Sequence, residues 1–341
     1  MNLDAVRAWM DVQGLGTGPL ADVRPIGGGT QNIMIRFSRD GREYVLRRGP
    51  EHLRPGSNTV IAREFEVLRA LGGTDVPHPH LIATCDDTSV LGDAVFYLME
   101  PVDGFNASLE LPDAAAGTPE LRRQLGFALV DALATVGAVD HQAVGLGGFG
   151  RPDGFLERQV GRWLAELDRH LELPGYPEIE LPHVREIAEW LDAHRPTQWT
   201  PGLMHGDFHA NNVMFSRTAP VVAAIVDWEM TTIGDPLLDL GWLCATWDLP
   251  GAPDEFAGTL TRAGGLPSAD ELVARYATRT TRSLEHLPWY VVLACFKLGI
   301  ILEGTHARAN SGLAPTDVGD RLHTTACALL ERAHSLLTKA L

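Results

Sequence analysis

The chain has 341 residues, 45% of them hydrophobic and 21% charged, longer than one core usually grows, so two packed lobes are expected. Its net charge is −16, of which residues 1–101, with 10 Arg and 13 Asp/Glu, carry −3 and the remainder −13; that balance argues against nucleic acid as a partner. No apolar run reaches the roughly 18 residues that span a bilayer, and the first 20 residues lack a basic segment followed by an apolar stretch, so neither a membrane contact nor a signal peptide is expected. A cytoplasmic protein is the expectation.

Cys85, Cys244, Cys295 and Cys327 are far apart and form no CxxC pair, which speaks against a zinc ribbon or a disulfide framework and for reduced, buried thiols. Only Lys297 and Lys339 among the 28 basic residues are lysines. A phosphate-gripping cation in the first two thirds must therefore be arginine, and a Walker A loop ending in Gly-Lys-Ser/Thr is excluded.

In chain order, a short helix is predicted over 4–12, then a glycine loop through Gly27, Gly28, Gly29, Thr30, Gln31 and Asn32. Alternating residues predict strands over 33–37 and 43–47 around a polar turn at 38–41. Helical spacing follows over 61–71, and a strand pair over 80–83 and 95–99. After Glu100-Pro101-Val102-Asp103-Gly104 the character changes. Helices are predicted over 119–139, 154–171, 184–194, 270–286, 289–309 and 319–337, interrupted by a β-rich segment at 203–229. The plan is α+β and bilobal, with a β-rich N-terminal lobe at 1–101 and a larger helical lobe at 102–341.

The strongest chemical signal is His205-Gly206-Asp207-Phe208-His209-Ala210-Asn211-Asn212-Val213-Met214-Phe215, followed by Ile225-Val226-Asp227-Trp228-Glu229. Phosphoryl transfer from a nucleotide needs a carboxylate near the acceptor hydroxyl and oxygen ligands for Mg²⁺. Asp207 and Asn212 have the spacing of the catalytic Asp and metal-binding Asn in the kinase loop H-R-D-x-x-x-x-N. Asp227 ends the apolar run 221–226, where a second metal-binding carboxylate is expected.

These motifs resemble the H-G-D-x-x-x-x-N and I-D-W/F elements of the aminoglycoside-phosphotransferase and choline-kinase-like superfamily, which has the protein-kinase fold. Tyr44-Val45-Leu46-Arg47-Arg48, Arg63-Glu64-Phe65-Glu66-Val67-Leu68, residues 148–163 and Gly234-Asp235-Pro236-Leu237-Leu238-Asp239-Leu240 extend the resemblance to the subgroup related to the kinase-like domain fused to some acyl-CoA dehydrogenases. The resemblance implies a phosphotransferase moving the γ-phosphoryl group of ATP or GTP to a hydroxyl of a small-molecule acceptor. It makes Asp207 the catalytic base or hydroxyl orienter and Asn212 and Asp227 the Mg²⁺ ligands.

Backbone N–H groups around Gly28, Gly29 and Thr30 are expected at the nucleotide phosphates, although Asn32 stands where G-x-G-x-x-G has its third glycine. Matching V-A-I-K to the second strand of the hairpin puts Arg47 where the lysine belongs, with Glu64 as its ion-pair partner; arginine offers a planar fork in place of a point charge. Glu100 and Val102 take the hinge positions that offer main-chain hydrogen bonds to the nucleotide base. His205 is read as a structural brace of the catalytic loop and Asp239 as a helix-start or loop-bracing carboxylate. Lys297, Glu303, His306 and Arg308 read as solvated charges of one helix, with the alternative that Lys297 and Arg308 hold an anionic substrate such as a CoA-linked acid.

Two other functional classes remain open. Loss of the strand lysine is compatible with a nucleotide-binding pseudokinase. The alternation of His205, Asp207 and His209 is compatible with the metal site of a hydrolase. The resemblance favours a hydroxylated metabolite or hydroxyacyl-CoA over an antibiotic as acceptor.

Overall fold

The computed structural model describes residues 1–27, 32–176, 181–247 and 254–337. The N-terminal region is one antiparallel sheet of β1 (Ala21–Pro25), β2 (Ile33–Arg39), β3 (Arg42–Arg48), β4 (Leu81–Cys85) and β5 (Phe96–Met99), in the order β1-β2-β3-β5-β4. Asp40 and Gly41 both take positive φ, 49° and 74°, as a two-residue turn matched to the twist of β2 and β3 requires. Alternation along β3 then decides what each side chain meets. Tyr44 and Leu46 pack with Phe37, Phe96 and Leu98 under α1 (Leu3–Val12), while Arg47 points to the other face, where α2 (Ser57–Leu71) presents Glu64.

The larger region is helical. It contains α3 (Asp113–Gly117), α4 (Pro119–Gly137), α5 (Gln159–Leu171), α6 (Val184–Ala193), α7 (Leu237–Trp247), α8 (Asp254–Ala263), α9 (Ala269–Ala277), α10 (Leu287–Asn310) and α11 (Thr316–Leu337). Two small antiparallel sheets interrupt them, one of β6 (Gly202–Met204) with β9 (Thr232–Gly234), the other of β7 (Val213–Phe215) with β8 (Val222–Ile225). The bilobal α+β plan read from the sequence is the plan of the structure.

Several boundaries differ from the sequence expectation, each for a local reason. Helix α2 starts four residues early, after Gly56 at φ 89°. Helix α5 starts only at Gln159, because Gly154 turns the chain at φ 63° before it. Helix α9 opens on a capping box between Ser268 and Glu271 but stops at Ala277; the next helix, α10, starts at Leu287 with Pro288 in its first turn. Helix α7 is absent from the predicted helices, although a helix start at Asp239 is one of the two readings of that residue. All eleven of its residues are buried, so it has no polar face and no amphipathic period to detect.

Helix α10 is long and apolar enough by length and composition to cross a membrane, contrary to the reading of the sequence. In the fold, 78% of its most apolar stretch is buried inside the protein, against α7, α11 and α5. Cys85, Cys244 and Cys295 are buried, Cys327 partly so, and no disulfide joins them.

Candidate active site

Strand β6 ends at Met204, and the chain turns at once through His205, Gly206 and Asp207. The turn needs glycine: Gly206 sits at φ 87°, and a Cβ there would lie 2.3 Å from the Met230 carbonyl oxygen. Asp239, fully inside the first turn of α7, clamps the loop by accepting from the His205 N–H at 2.7 Å and the Gly206 N–H at 2.9 Å. Burial pushes this carboxyl up to about 6, against those two amide bonds and the nearby Lys297. Asp239 is thus a loop brace.

His205 is fully buried, its Nε2 bonded to the Val226 carbonyl at 3.0 Å and its Nδ1 accepting from the Asp207 N–H at 3.4 Å. Burial keeps it below the ordinary histidine value. Both ring nitrogens are engaged within the loop, which removes His205 from the ligand set that a hydrolase site with Asp207 and His209 would need.

Asp207 carries a half-exposed carboxylate, 3.3 Å from His209 Nε2. Asn212, after the short 3₁₀ turn 210–212, donates its amide to the Asp207 carboxylate at 3.1 Å and to the Asp207 carbonyl at 3.0 Å. That spends the Asn212 nitrogen and leaves its oxygen to be offered. Burial opposes ionisation of Asp207, but the hydrogen bond from His209 and the neighbouring His209, His205 and Lys297 outweigh it and hold the carboxyl well below the ordinary range.

The Asn212 carbonyl accepts from the Val226 N–H at 2.9 Å, tying the loop to the end of β8. Asp227 follows in the left-handed region at φ 67°, an uncommon position for a non-glycine residue. Its carboxylate, 38% exposed, accepts from Arg47 at 2.6 Å. The same guanidinium donates to buried Glu64 at 2.8 Å, and Glu64 in turn accepts from the Trp228 N–H at 3.2 Å. Burial raises Glu64 to about 6 despite Arg47; burial also works against the Arg47 charge, but Glu64, Tyr97 and Asp227 raise it above the ordinary arginine value. Arg63 of α2 braces the other side of this turn, donating to the Thr231 carbonyl at 3.2 Å and covering Phe149 at 4.0 Å.

Asp207, Asn212, Asp227, Arg47 and Glu64 thus lie along one connected hydrogen-bond path between the sheet and the helical region. Glu100 and Val102 stand just beyond β5 at the junction of the two, with the Glu100 N–H donating to the His80 carbonyl and its carboxylate bonded to Arg42 at 3.0 Å. Gly28, Gly29 and Thr30 lie outside the described residues.

Two contributors were missed or misread in the sequence. Glu229 accepts from Asn32 at 3.2 Å and lies 3.9 Å from Arg47, where burial, then Asp227, raises its carboxyl above the ordinary value; its place directly after Asp227-Trp228 was the available signal. Lys297 is no solvated charge. It is buried, its Nζ donates to the Gly206 carbonyl at 3.2 Å, and it lies 4.3 Å from the Trp242 ring and 5.5 Å from that of Trp163. Burial lowers it to about 8, opposed by Asp207 and Asp239. Glu303 and His306 are likewise buried, whereas Arg308 is exposed, so Lys297 and Arg308 do not form one anion clamp.

The phosphotransferase enzyme family matches residues 22–276, three quarters of the chain, a span that includes Arg47, Glu64, Asp207, Asn212, Asp227 and Glu229 but not Lys297. The chain belongs to that family. A provisionally assigned aminoglycoside phosphotransferase from Ralstonia eutropha JMP134 has a similar structure, with 30% identity, a TM-score of 0.78 and coverage of 98% of each chain. A thermostable mutant of aminoglycoside phosphotransferase APH(4)-Ia, in ternary complex with AMP-PNP and hygromycin B, shares the fold at 15% identity and a TM-score of 0.62, over 95% of this chain and 98% of the other. Among curated proteins, acyl-CoA dehydrogenase family member 10 of Mus musculus is 28% identical over 95% of the chain, and family member 11 of Homo sapiens is 32% identical over 82%. The chain spans only 30% and 35% of the length of these two relatives. The family and the subgroup are those that the motifs resemble.

Proposed function

We propose that the chain is a Mg²⁺-dependent small-molecule kinase that transfers the γ-phosphoryl group of ATP or GTP to an acceptor hydroxyl, with the nucleotide held between residues 1–101 and 102–341. The observation that carries this reading is the hydrogen-bond path joining Asp207, Asn212, Asp227, Arg47 and Glu64. A site that had lost its chemistry would have no need to keep the Asp207 and Asp227 carboxylates partly open to solvent along such a path.

The donor set fits a hard cation. Asn212 offers its amide oxygen, and Asp227 and Glu229 add carboxylate oxygens, the ligand type Mg²⁺ prefers. Held by these oxygens, Mg²⁺ would supply the charge that neutralises the nucleotide phosphates. Arg47, fixed by Glu64 and bonded to Asp227, supplies a second cation beside them. Asp207 accepts the hydrogen bond of the acceptor hydroxyl, aligning its oxygen with the γ-phosphorus. As the new O–P bond forms and the bond to the nucleotide breaks, Asp207 takes the hydroxyl proton. A carboxylate held so far below its ordinary value is a weak base, so orientation is its larger contribution.

For the acceptor we favour a hydroxylated metabolite such as a hydroxyacyl-CoA. The support is the similarity to proteins named as acyl-CoA dehydrogenase family members. The test is nucleotide consumption with Mg²⁺, comparing ATP and GTP over hydroxyacyl-CoA, sugar, aminoglycoside and choline-like acceptors, with Asp207→Asn as control. Turnover that needs one acceptor class and vanishes in the control supports the kinase; nucleotide binding without acceptor-dependent turnover on any of them turns the reading toward a pseudokinase.

A further inference from the structure

Beyond the candidate active site, helices α10 and α11 carry a second cluster of ionisable groups that the phosphotransferase reading does not use. On α10, Glu303 and His306 are three residues apart, and on α11 so are Asp320 and His323. Three-residue spacing puts each pair on one face of its helix. The pairs meet reciprocally: His323 Nδ1 lies 2.7 Å from the Glu303 carboxylate, and His306 Nδ1 lies 3.5 Å from that of Asp320. The two imidazoles stack with centroids 4.6 Å apart.

Close helix packing fixes this arrangement. A Cβ on Gly319, the residue before Asp320, would fall 2.5 Å from the Ala309 Cβ and 3.3 Å from the His306 Cα, so glycine is what lets α11 approach α10 here. Glu303 is completely buried, and its partners are the Tyr176 hydroxyl and His323, with no lysine or arginine paired to it among the described residues. A buried carboxylate without a cation is costly. His306 Nδ1 is also buried and has no hydrogen-bond partner among the described residues. One ligand atom from each of Glu303, His306 and His323 can be chosen so that all lie within 4.8 Å of one another.

We propose that Glu303, His306, His323 and Asp320 form a binding site for one divalent transition-metal ion of the zinc class, which cross-links α10 to α11. Two imidazoles and two carboxylates give the nitrogen and oxygen donors such an ion takes, at metal–ligand distances of about 2.0–2.2 Å. Carboxylate–histidine pairs three apart on neighbouring helices are a general way to build a metal site inside a helix bundle. The ion satisfies the orphaned His306 Nδ1, balances the Glu303 charge, and enters from the side of Asp320, whose side chain is 67% exposed. Tyr176 holds the remaining Glu303 oxygen and fixes the carboxylate.

The test is calorimetric titration of the chelator-treated full chain with Zn²⁺ alone, followed by Tm with and without the ion. The variants are His306→Gln, Asp320→Asn, His334→Gln and Asp227→Asn. His334 on α11 belongs to a separate, partly exposed group with Glu186 of α6 and His183 just before it, and Asp227 to the candidate active site. The expected result is about one tight equivalent per chain and a Tm rise of about 5 °C at saturation. Binding is lost in His306→Gln, weakened about tenfold or more in Asp320→Asn, and kept in the other two. No tight equivalent in the parent chain overturns the proposal. So does binding that follows His334 or Asp227. Should His306→Gln fail to fold, the surface variant Asp320→Asn decides, and an affinity equal to the parent's overturns it.

Discussion

The guanidinium of Arg47 reaches across 180 positions of sequence to the carboxylate of Asp227, at 2.6 Å, while its other edge holds Glu64. One planar fork therefore joins the sheet, α2 and the end of β8, a connection that the compact ammonium of lysine makes less readily. Removing it should be costly, because Arg47→Ala leaves the fully buried Glu64 carboxylate unpaired. The expected loss is about 3–5 kcal/mol in urea unfolding. The double change Arg47→Met with Glu64→Leu should recover much of that loss, and Arg47→Lys should keep the fold while raising the nucleotide KM. A double variant as unstable as the single one would show that the pair is not the source of the cost.

Asp207→Asn keeps the shape of the loop and removes only the charge and the proton acceptor. It should lower kcat by about 10²–10⁴, while nucleotide affinity measured by calorimetry stays close to that of the parent. Equal losses in both quantities would assign Asp207 to binding.

Lys297 is lowered by burial to about 8, against the pull of Asp207 and Asp239. Its charge, which helps keep Asp207 ionised, should thus fade as pH rises past about 8, giving kcat/KM an alkaline limb there. Lys297→Met retains the stem between the two tryptophans. It should lower kcat on the order of tenfold and remove that limb; a limb unchanged in the variant would belong to another group.

Asp239 titrates in the opposite sense to Asp207, because burial raises it from 3.8 to about 6. A carboxyl with a raised folded value binds its proton more tightly in the folded state. Its contribution to stability is fully present below about pH 4 and is lost as pH rises through 6. Replacing it with Asn should make the slope of unfolding free energy between pH 4 and 6 more positive, by up to about 1.4 kcal/mol per pH unit. Urea unfolding at a series of pH values reads this directly.

Much of this site was legible in the sequence because it is built from contiguous motifs. His205 to Asn212 and Ile225 to Glu229 are short segments whose internal spacing survives folding, and the Arg47–Glu64 pairing follows from a strand succeeded by a helix. Lys297 was misread because a lysine on a helix is ordinarily solvated. What buries it is α7, a helix with no polar face, whose Trp242 covers the ammonium and whose Asp239 grips the loop beside it.

The sequence by itself determined the bilobal α+β plan, the family and the motif residues, since periodicity, turn chemistry and motif spacing are local properties of the chain. Only the tertiary structure decided which long-range partners those residues take. Arg47 with Asp227, Lys297 with Gly206, and the Glu303 and His306 pair with Asp320 and His323 each depend on how two elements pack. Packing of that kind is set by side-chain volume and by close approaches such as that at Gly319, and neither leaves a periodic trace along the chain.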